Sequence, residues 1–290
     1  PVGEYTLHEV KAPKGYNLAE DVKVVIEETG KVQEFSIYDV EKTNNVPISK
    51  QDITTGEEIE GAKLELLDSK GKVIESWTST TKPHVINNLK AGTYTIREKA
   101  APKGYLLAED IEFTIDAEGN IKGSTIMQDD YTKVEISKKD IVTSEELPGA
   151  TLQVIEKSTG KVLEEWISKD SAHRIDKLPI GEYILREITA PDGYVRAEDV
   201  EFTVSNSGEI QRVEMQDDYT KVEITKKDLE TKEILEGAQL QLLDSEGDVV
   251  AEFTSENKAY TISKLPVGEY TLHEVKAPKG YNLAEDVKVV

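Results

Sequence analysis

Cysteine is absent from this 290-residue chain, and histidine occurs only four times. The first absence excludes a disulfide framework and any thiolate zinc or iron–sulfur site. The four histidines, His8, His84, His173 and His273, are scattered over strand and loop positions with no partner evident in the sequence. No histidine metal cage is expected, and no role is assigned to them. Basic residues are also short: 35 Lys and Arg stand against 57 Asp and Glu, a net charge of −22. Binding to a phosphate backbone is driven by Lys and Arg releasing counterions, so nucleic acid is excluded as a partner. No apolar run approaches the roughly 18 residues of a membrane span. No GxSxG, HExxH or phosphate-binding loop occurs, and no cofactor or metal is expected. Acidic clusters such as Asp129-Asp130 and Glu145-Glu146 lack calcium-loop spacing and read as solvated surface. Pro1-Val-Gly-Glu-Tyr is not a signal peptide, so any targeting or anchoring segment is expected outside these residues.

What the chain does have is repetition. Residues 1–25 recur unchanged at 266–290. Inside that long period lies a looser one. Residues 45–132 and 133–220 read as two complete modules of equal length, each opening on an apolar strand followed by Lys and closing on QDDYT. Residues 221–290 carry the N-terminal part of a further module, and residues 1–44 the C-terminal part of one. Two readings of the partial ends are open: fragment boundaries cut through a longer array, and head-to-tail complementation between molecules. No Gly, Pro or Ser cluster separates the modules, which predicts a stiff rod rather than beads on a flexible string.

Strand signals dominate each module. KVEISKKD, ATLQVIE, KVLEEWIS, EYILREIT, DVEFTVS and IQRVEMQD alternate apolar with polar residues, and KSTGK, LPIGE, APDGY and NSGE punctuate them. The expected class is all-β: tandem Ig-like sandwiches of about seven strands arranged as a rod. Trp77 and Trp166 occupy equivalent strand positions and read as core packing.

Alternation sharpens this reading, because side chains i, i+2 and i+4 share one face of a strand. On the first strand of each module an apolar face ends in lysine: Val46, Ile48, Lys50; Val134, Ile136, Lys138; Val222, Ile224, Lys226. On the strand before APxGY it ends in glutamate: Glu98, Glu187, Glu274 and, in the N-terminal piece, Glu9. On the last strand it ends in aspartate: Met127 with Asp129, Met215 with Asp217, and Phe35, Ile37 with Asp39. Both complete modules space Lys and Asp by 79 residues, 129 − 50 and 217 − 138. Buried charges are rare unless paired. Two readings of the triad are open. One is a buried Lys–carboxylate pair with a second acid, or charges that reach out to water at strand ends. The other is a covalent amide: burial favours the neutral forms of amine and acid, and these are a nucleophile and an electrophile, with the glutamate to move protons.

The run from (S/T)K-x-D through GA, L-x-x-G-x-Y, E-x-x-AP-x-GY and a final strand Asp resembles the collagen-adhesin B-type repeat. This family is also called CnaB or SpaA-type, the prealbumin-like domains of Gram-positive surface adhesins and pilins. E-x-x-AP-x-GY occurs four times, ending at Tyr16, Tyr105, Tyr194 and Tyr281. The resemblance implies a prealbumin-like β-sandwich closed by a self-formed isopeptide bond. It implies linking lysines at Lys50, Lys138 and Lys226, assisting glutamates at Glu98, Glu187, Glu274 and Glu9, and acceptors at Asp129, Asp217 and Asp39. The QDDY strands are similar to the Asp-acceptor subgroup.

The function expected is the structural stalk of a bacterial cell-surface adhesin or pilus-like protein, extracellular and wall-anchored through a region not present here. It would catalyse no turnover beyond its own single-event cross-links. Two rivals stand beside it: a ligand-binding adhesin module contacting a host or matrix protein, and an accessory carbohydrate-binding domain of a secreted enzyme. Short, uniform turns argue against the first, and an aromatic content of 6% against the second. Expected partners are a host or matrix protein engaged through regions outside this chain, and a second copy joined head to tail, with Lys226 of one molecule meeting Asp39 of the next.

Overall fold

A computed structural model describes residues 1–290. The chain divides into two compact units. Unit 1 comprises residues 1–132 with 176–179 and 206–209, and unit 2 comprises 133–175, 180–205 and 210–290. Every regular element is a strand.

In unit 1, β1 (Gly3–Leu7) and β2 (Val22–Ile26) form an antiparallel pair. Eight strands follow: β3 (Asn44–Asp52), β4 (Lys63–Asp68), β5 (Val73–Thr78), β6 (His84–Leu89), β7 (Gly92–Ala100), β8 (Ile111–Ile115), β9 (Ile121–Gly123) and β10 (Ile126–Asp129). They make two sheets, ordered β5-β4-β7-β8-β9 and β10-β3-β6. The second is the informative one. β10 runs parallel to β3, so the first and last strands of residues 45–132 lie side by side. Between the sheets sit Val46, Ile48, Leu64, Leu66, Ile86, Ile96, Phe113 and Met127.

Unit 2 repeats this plan. Its strands are β11 (Lys133–Asp140), β12 (Thr151–Glu156), β13 (Lys161–Ile167), β14 (His173–Asp176), β15 (Gly181–Thr189), β16 (Val200–Val204) and β17 (Ile210–Asp217). The sheets are β13-β12-β15-β16 and β14-β11-β17, with β17 again parallel to β11. Six strands complete the chain: β18 (Lys221–Ile224), β19 (Gln239–Leu243), β20 (Val249–Thr254), β21 (Tyr260–Ser263), β22 (Tyr270–Lys276) and β23 (Val287–Val289).

Three expectations need correction. Phe35–Asp39 forms no strand, and Phe35 is exposed. A last strand is held by a parallel first strand, and residues 1–44 supply none. For the same reason β18 stops at Ile224, two residues short of Lys226, whereas β11 runs through Lys138 to Asp140. The histidines, finally, all have carboxylate partners: His8 with Asp21, His84 with Glu75, His173 with Glu164 and His273 with Asp286. Two of them also stack on the tryptophans, Trp77 on His84 and Trp166 on His173, at ring separations of 4.7 and 4.3 Å. Trp77 packs against the core as read from the sequence.

Candidate functional site

Strand alternation buries Val134, Ile136, Lys138 and Asp140 on one face of β11, and Val46, Ile48, Lys50 and Asp52 on the same face of β3. Both lysine side chains are 1% exposed. Opposite each stands a methionine of the parallel last strand, Met127 for Lys50 and Met215 for Lys138. The aspartate two residues further on shares that face, and the lysine meets it along the diagonal of the pair, where long side chains reach. Lys50 Nζ contacts Asp129 Oδ1, and Lys138 Nζ contacts Asp217 Oδ1.

The glutamate arrives from the other sheet, and the chain aims it with a bulge. Leu64 on β4 faces Glu98 while Lys63 faces Ala100, so Lys99 is the extra residue. The irregularity recurs at Leu152 with Glu187 and at Leu240 with Glu274. A bulge bends its strand and re-aims the neighbouring side chain. Each glutamate is then tethered by a backbone amide ten residues downstream. Ala108 N–H donates to Glu98 Oε2 at 2.8 Å and Ala197 N–H to Glu187 Oε2 at 2.7 Å. The other oxygen faces the amine, with Glu98 Oε1 at 3.2 Å from Lys50 Nζ and Glu187 Oε1 at 3.0 Å from Lys138 Nζ.

These triads sit in an apolar interior, and the acids respond. Burial pushes the Asp129 carboxyl up to about 7 against the pull of Lys50, and the Glu98 carboxylate adds to the rise. Burial likewise pushes Asp217 up to about 6, against Lys138 and with Glu187. A hydrogen bond to the neighbouring glutamate, Glu98 for Asp129 and Glu187 for Asp217, favours the protonated aspartate further. Each triad thus sets an amine against an acid whose carboxyl burial raises, next to a tethered carboxylate.

The partial ends each hold part of the set. Lys226 Nζ lies 2.9 Å from Glu274 Oε1, and Glu274 Oε2 accepts the Ala284 N–H at 2.6 Å, with no aspartate beside them. Glu9 accepts the Ala19 N–H at 2.7 Å. Its charge lies close enough to raise Asp39, after desolvation, and no lysine completes that group. The predicted residues therefore converge fully at Lys50–Glu98–Asp129 and Lys138–Glu187–Asp217 and in part elsewhere.

Two residues went unread in the sequence. Asp52 and Asp140 are buried on the lysine's own face. Following the alternation one step beyond Lys50 and Lys138 would have found them. Asp52 is the register partner of Asp129, and Asp140 of Asp217.

Comparison with known proteins places these features in context. The family described as the SpaA prealbumin-like fold domain matches four stretches: residues 1–41, 44–129, 132–219 and 220–290. No curated protein matches the sequence. Among solved structures, the Bacillus anthracis TIE protein is similar over 93% of this chain at 25% identity, with a TM-score of 0.45. The chain spans about half of that protein, 51% of its length. A streptococcal ancillary pilin is similar over 86% of this chain and 95% of its own length, at 14% identity and a TM-score of 0.41. The shaft pilin SpaA of Lactobacillus rhamnosus GG matches 62% of this chain and 98% of its own, at 17% identity and a TM-score of 0.33.

Proposed function

The chain belongs to the SpaA prealbumin-like fold domain family, and from that premise we propose that residues 45–132 and 133–220 are autonomous modules, each closed by its own Lys–Asp amide. The observation that carries this reading is the burial of a whole amine–acid–acid triad, twice, with each lysine in contact with an aspartate whose carboxyl burial raises toward its neutral form.

The step balances without a co-reactant. Neutral Lys138 Nζ attacks Cγ of the protonated Asp217 carboxyl, forming a C–N bond. Glu187 takes a proton from the attacking nitrogen and returns it to the departing hydroxyl, and the C–O bond breaks with release of one water. Glu98 serves Lys50 and Asp129 in the same way. The fold contributes proximity, which in favourable cases supplies roughly 7–11 kcal/mol of the barrier. The glutamate contributes proton transfer. Two ionisable groups become one neutral amide, so the cost of holding that amine and that aspartate in an apolar core disappears. Each bond is made once and turns nothing over.

Mechanically, the amide ties the first strand of a module to its last. Tension entering one and leaving by the other runs through covalent bonds, and the sheets are not peeled apart. By analogy with disulfide closure, a loop of this length restricts the unfolded chain by about 4–5 kcal/mol. A cysteine-free chain gains a tie indifferent to redox conditions. The role this supports is a tension-bearing stalk in an extracellular, wall-anchored surface or pilus-like protein. Where a second copy presents Asp39 to Lys226, the same chemistry joins molecules head to tail, and denaturing electrophoresis would display a covalent ladder.

Intact mass of the denatured chain tests the proposal. Two waters should be missing from the sequence mass, and Lys138→Ala or Asp217→Ala should restore one. A full, unshifted mass overturns the chemistry.

A further inference from the structure

Lys264 has an unusual backbone. Its φ is 61°, the left-handed region that lysine seldom adopts. Its ammonium lies 2.9 Å from Asp140 Oδ2 and donates to the Tyr194 hydroxyl at 2.5 Å, and that hydroxyl donates to Asp140 Oδ2 at 2.7 Å. The same ammonium stands over the Tyr194 and Tyr219 rings, 4.9 and 5.5 Å from their centres. The backbone closes the contact. Lys264 N–H donates to the Thr220 carbonyl, Thr220 N–H to the Gly193 carbonyl, and Thr220 Oγ1 to the Leu265 carbonyl at 2.6 Å. A Cβ on Gly193 would collide with the Lys264 backbone.

Unit 1 contains the same assembly. Lys177, φ 63°, reaches Asp52 Oδ2 at 2.8 Å and the Tyr105 hydroxyl at 2.6 Å, and Tyr105 donates to Asp52 at 2.9 Å. Thr132 Oγ1 donates to the Leu178 carbonyl, and a Cβ on Gly104 would collide with Lys177. Gly280, in the same APxGY context but facing no lysine loop, has open space where its Cβ would point. The close approach therefore belongs to the contact and not to the APxGY turn.

We propose that Asp140, Gly193, Tyr194 and Thr220 form a docking face whose ligand is the Lys264–Leu265–Pro266 loop of the following repeat, and that Asp52, Gly104, Tyr105 and Thr132 receive the Lys177–Leu178–Pro179 loop in the same way. The partner is thus a prealbumin-like repeat carrying Lys-Leu-Pro with the lysine in left-handed backbone. The sequence rule is specific. At the equivalent place in residues 45–132 the left-handed residue is Asn88, whose N–H donates to Asn45 Oδ1, and Lys42 stands where Thr132 and Thr220 stand. There Lys90 pairs instead with Glu41. Lys-Leu-Pro and Asn-Leu-Lys loops therefore mark two kinds of junction.

Amide hydrogen exchange on the full chain tests the assignment. Lys264→Met removes the ammonium, and Gly193→Ala obstructs the loop while leaving the lysine in place. In both variants the Lys264 and Thr220 amides should exchange roughly 10–100-fold faster, the loss expected for charge-assisted hydrogen bonds. The Ala238 and Ser255 amides, bonded inside residues 221–290, should keep their protection. Unchanged protection at Lys264 and Thr220 in either variant overturns the proposal. So does uniform acceleration at all four, because the lysine then serves only the folding of its own repeat.

Discussion

Residues 133–220 and 221–290 begin with nearly the same sequence, KVEISKKD against KVEITKKD, and end in different states. In the first, β11 runs eight residues and the Lys138 side chain is 1% exposed; in the second, β18 runs four and Lys226 is 17% exposed. The glutamates do not differ in this way. Glu187 and Glu274 are both buried, both beside a bulge, and both tethered to an amide ten residues on. The acid half of the site is thus built by the hairpin-rich sheet that carries it, from contacts close in sequence. The amine half is completed by a parallel last strand, which residues 133–220 contain and residues 221–290 do not. Parallel pairing of first with last strand is the long-range step, and it buries the lysine.

Supplying the missing strand is the strongest way to break that contrast. Because residues 266–290 repeat residues 1–25, appending residues 26–44 after Val290 offers Asp39 to Lys226 in register. A third water should then be missing from the intact mass, and Lys226 should resist amine-reactive labelling, as the buried Lys138 is expected to. If the extended chain gains no further mass loss, pairing with the last strand is not what distinguishes the two regions.

A smaller effect is expected from the half of the site the two regions share. Glu187→Ala leaves Lys138 and Asp217 in place and removes proton transfer, which typically contributes about 10²–10⁴-fold. Mass spectra taken at intervals after refolding should record bond formation in residues 133–220 slowed by that order, while residues 45–132 react at the ordinary rate. Equal rates in both would mean that proximity alone drives the reaction.

The smallest effect concerns Asp52, at the docking face of unit 1. Burial acts to raise its carboxyl, but hydrogen bonds from Lys177, the Thr54 and Thr55 amides and Tyr105 prevail and hold it at about 2. The carboxyl titrates lower folded than unfolded, where the ordinary value is about 3.9. Its contribution, about 2.6 kcal/mol by linkage, is complete above roughly pH 4 and is lost as pH falls through about 2. Acid unfolding monitored at the Lys177 amide should record that loss, and Asp52→Asn should abolish it. The Asp140–Lys264 contact should persist to still lower pH, since Lys264 and Tyr194 hold Asp140 lower.

Much of this was legible in the residues. Lys50, Lys138, Glu98, Glu187, Asp129 and Asp217 follow from period-two alternation and constant spacing, because a strand has only two faces and a charge on the buried one stands out. Other features were not. The bulges at Lys99, Ile188 and Val275 break the alternation without any residue that marks them, since they arise from register against a neighbour. The histidines looked unpartnered because their carboxylates lie 9 or 13 residues away across strands, a distance that only a defined turn and register convert into contact. Lys177 and Lys264 carry ordinary loop sequence, and their roles depend on the Asp and Tyr of another repeat.

Residue order alone determined the faces: which side chains point inward, that three of them are charged, and that the pattern repeats with a fixed interval. Tertiary structure alone decided which inward charges meet. Phe35–Asp39 keeps the alternation of a last strand and forms none, and Lys226 keeps the position of Lys138 without its full burial. Facing is a local property of the extended backbone, whereas burial and contact need a second strand some eighty residues away to be present and in register.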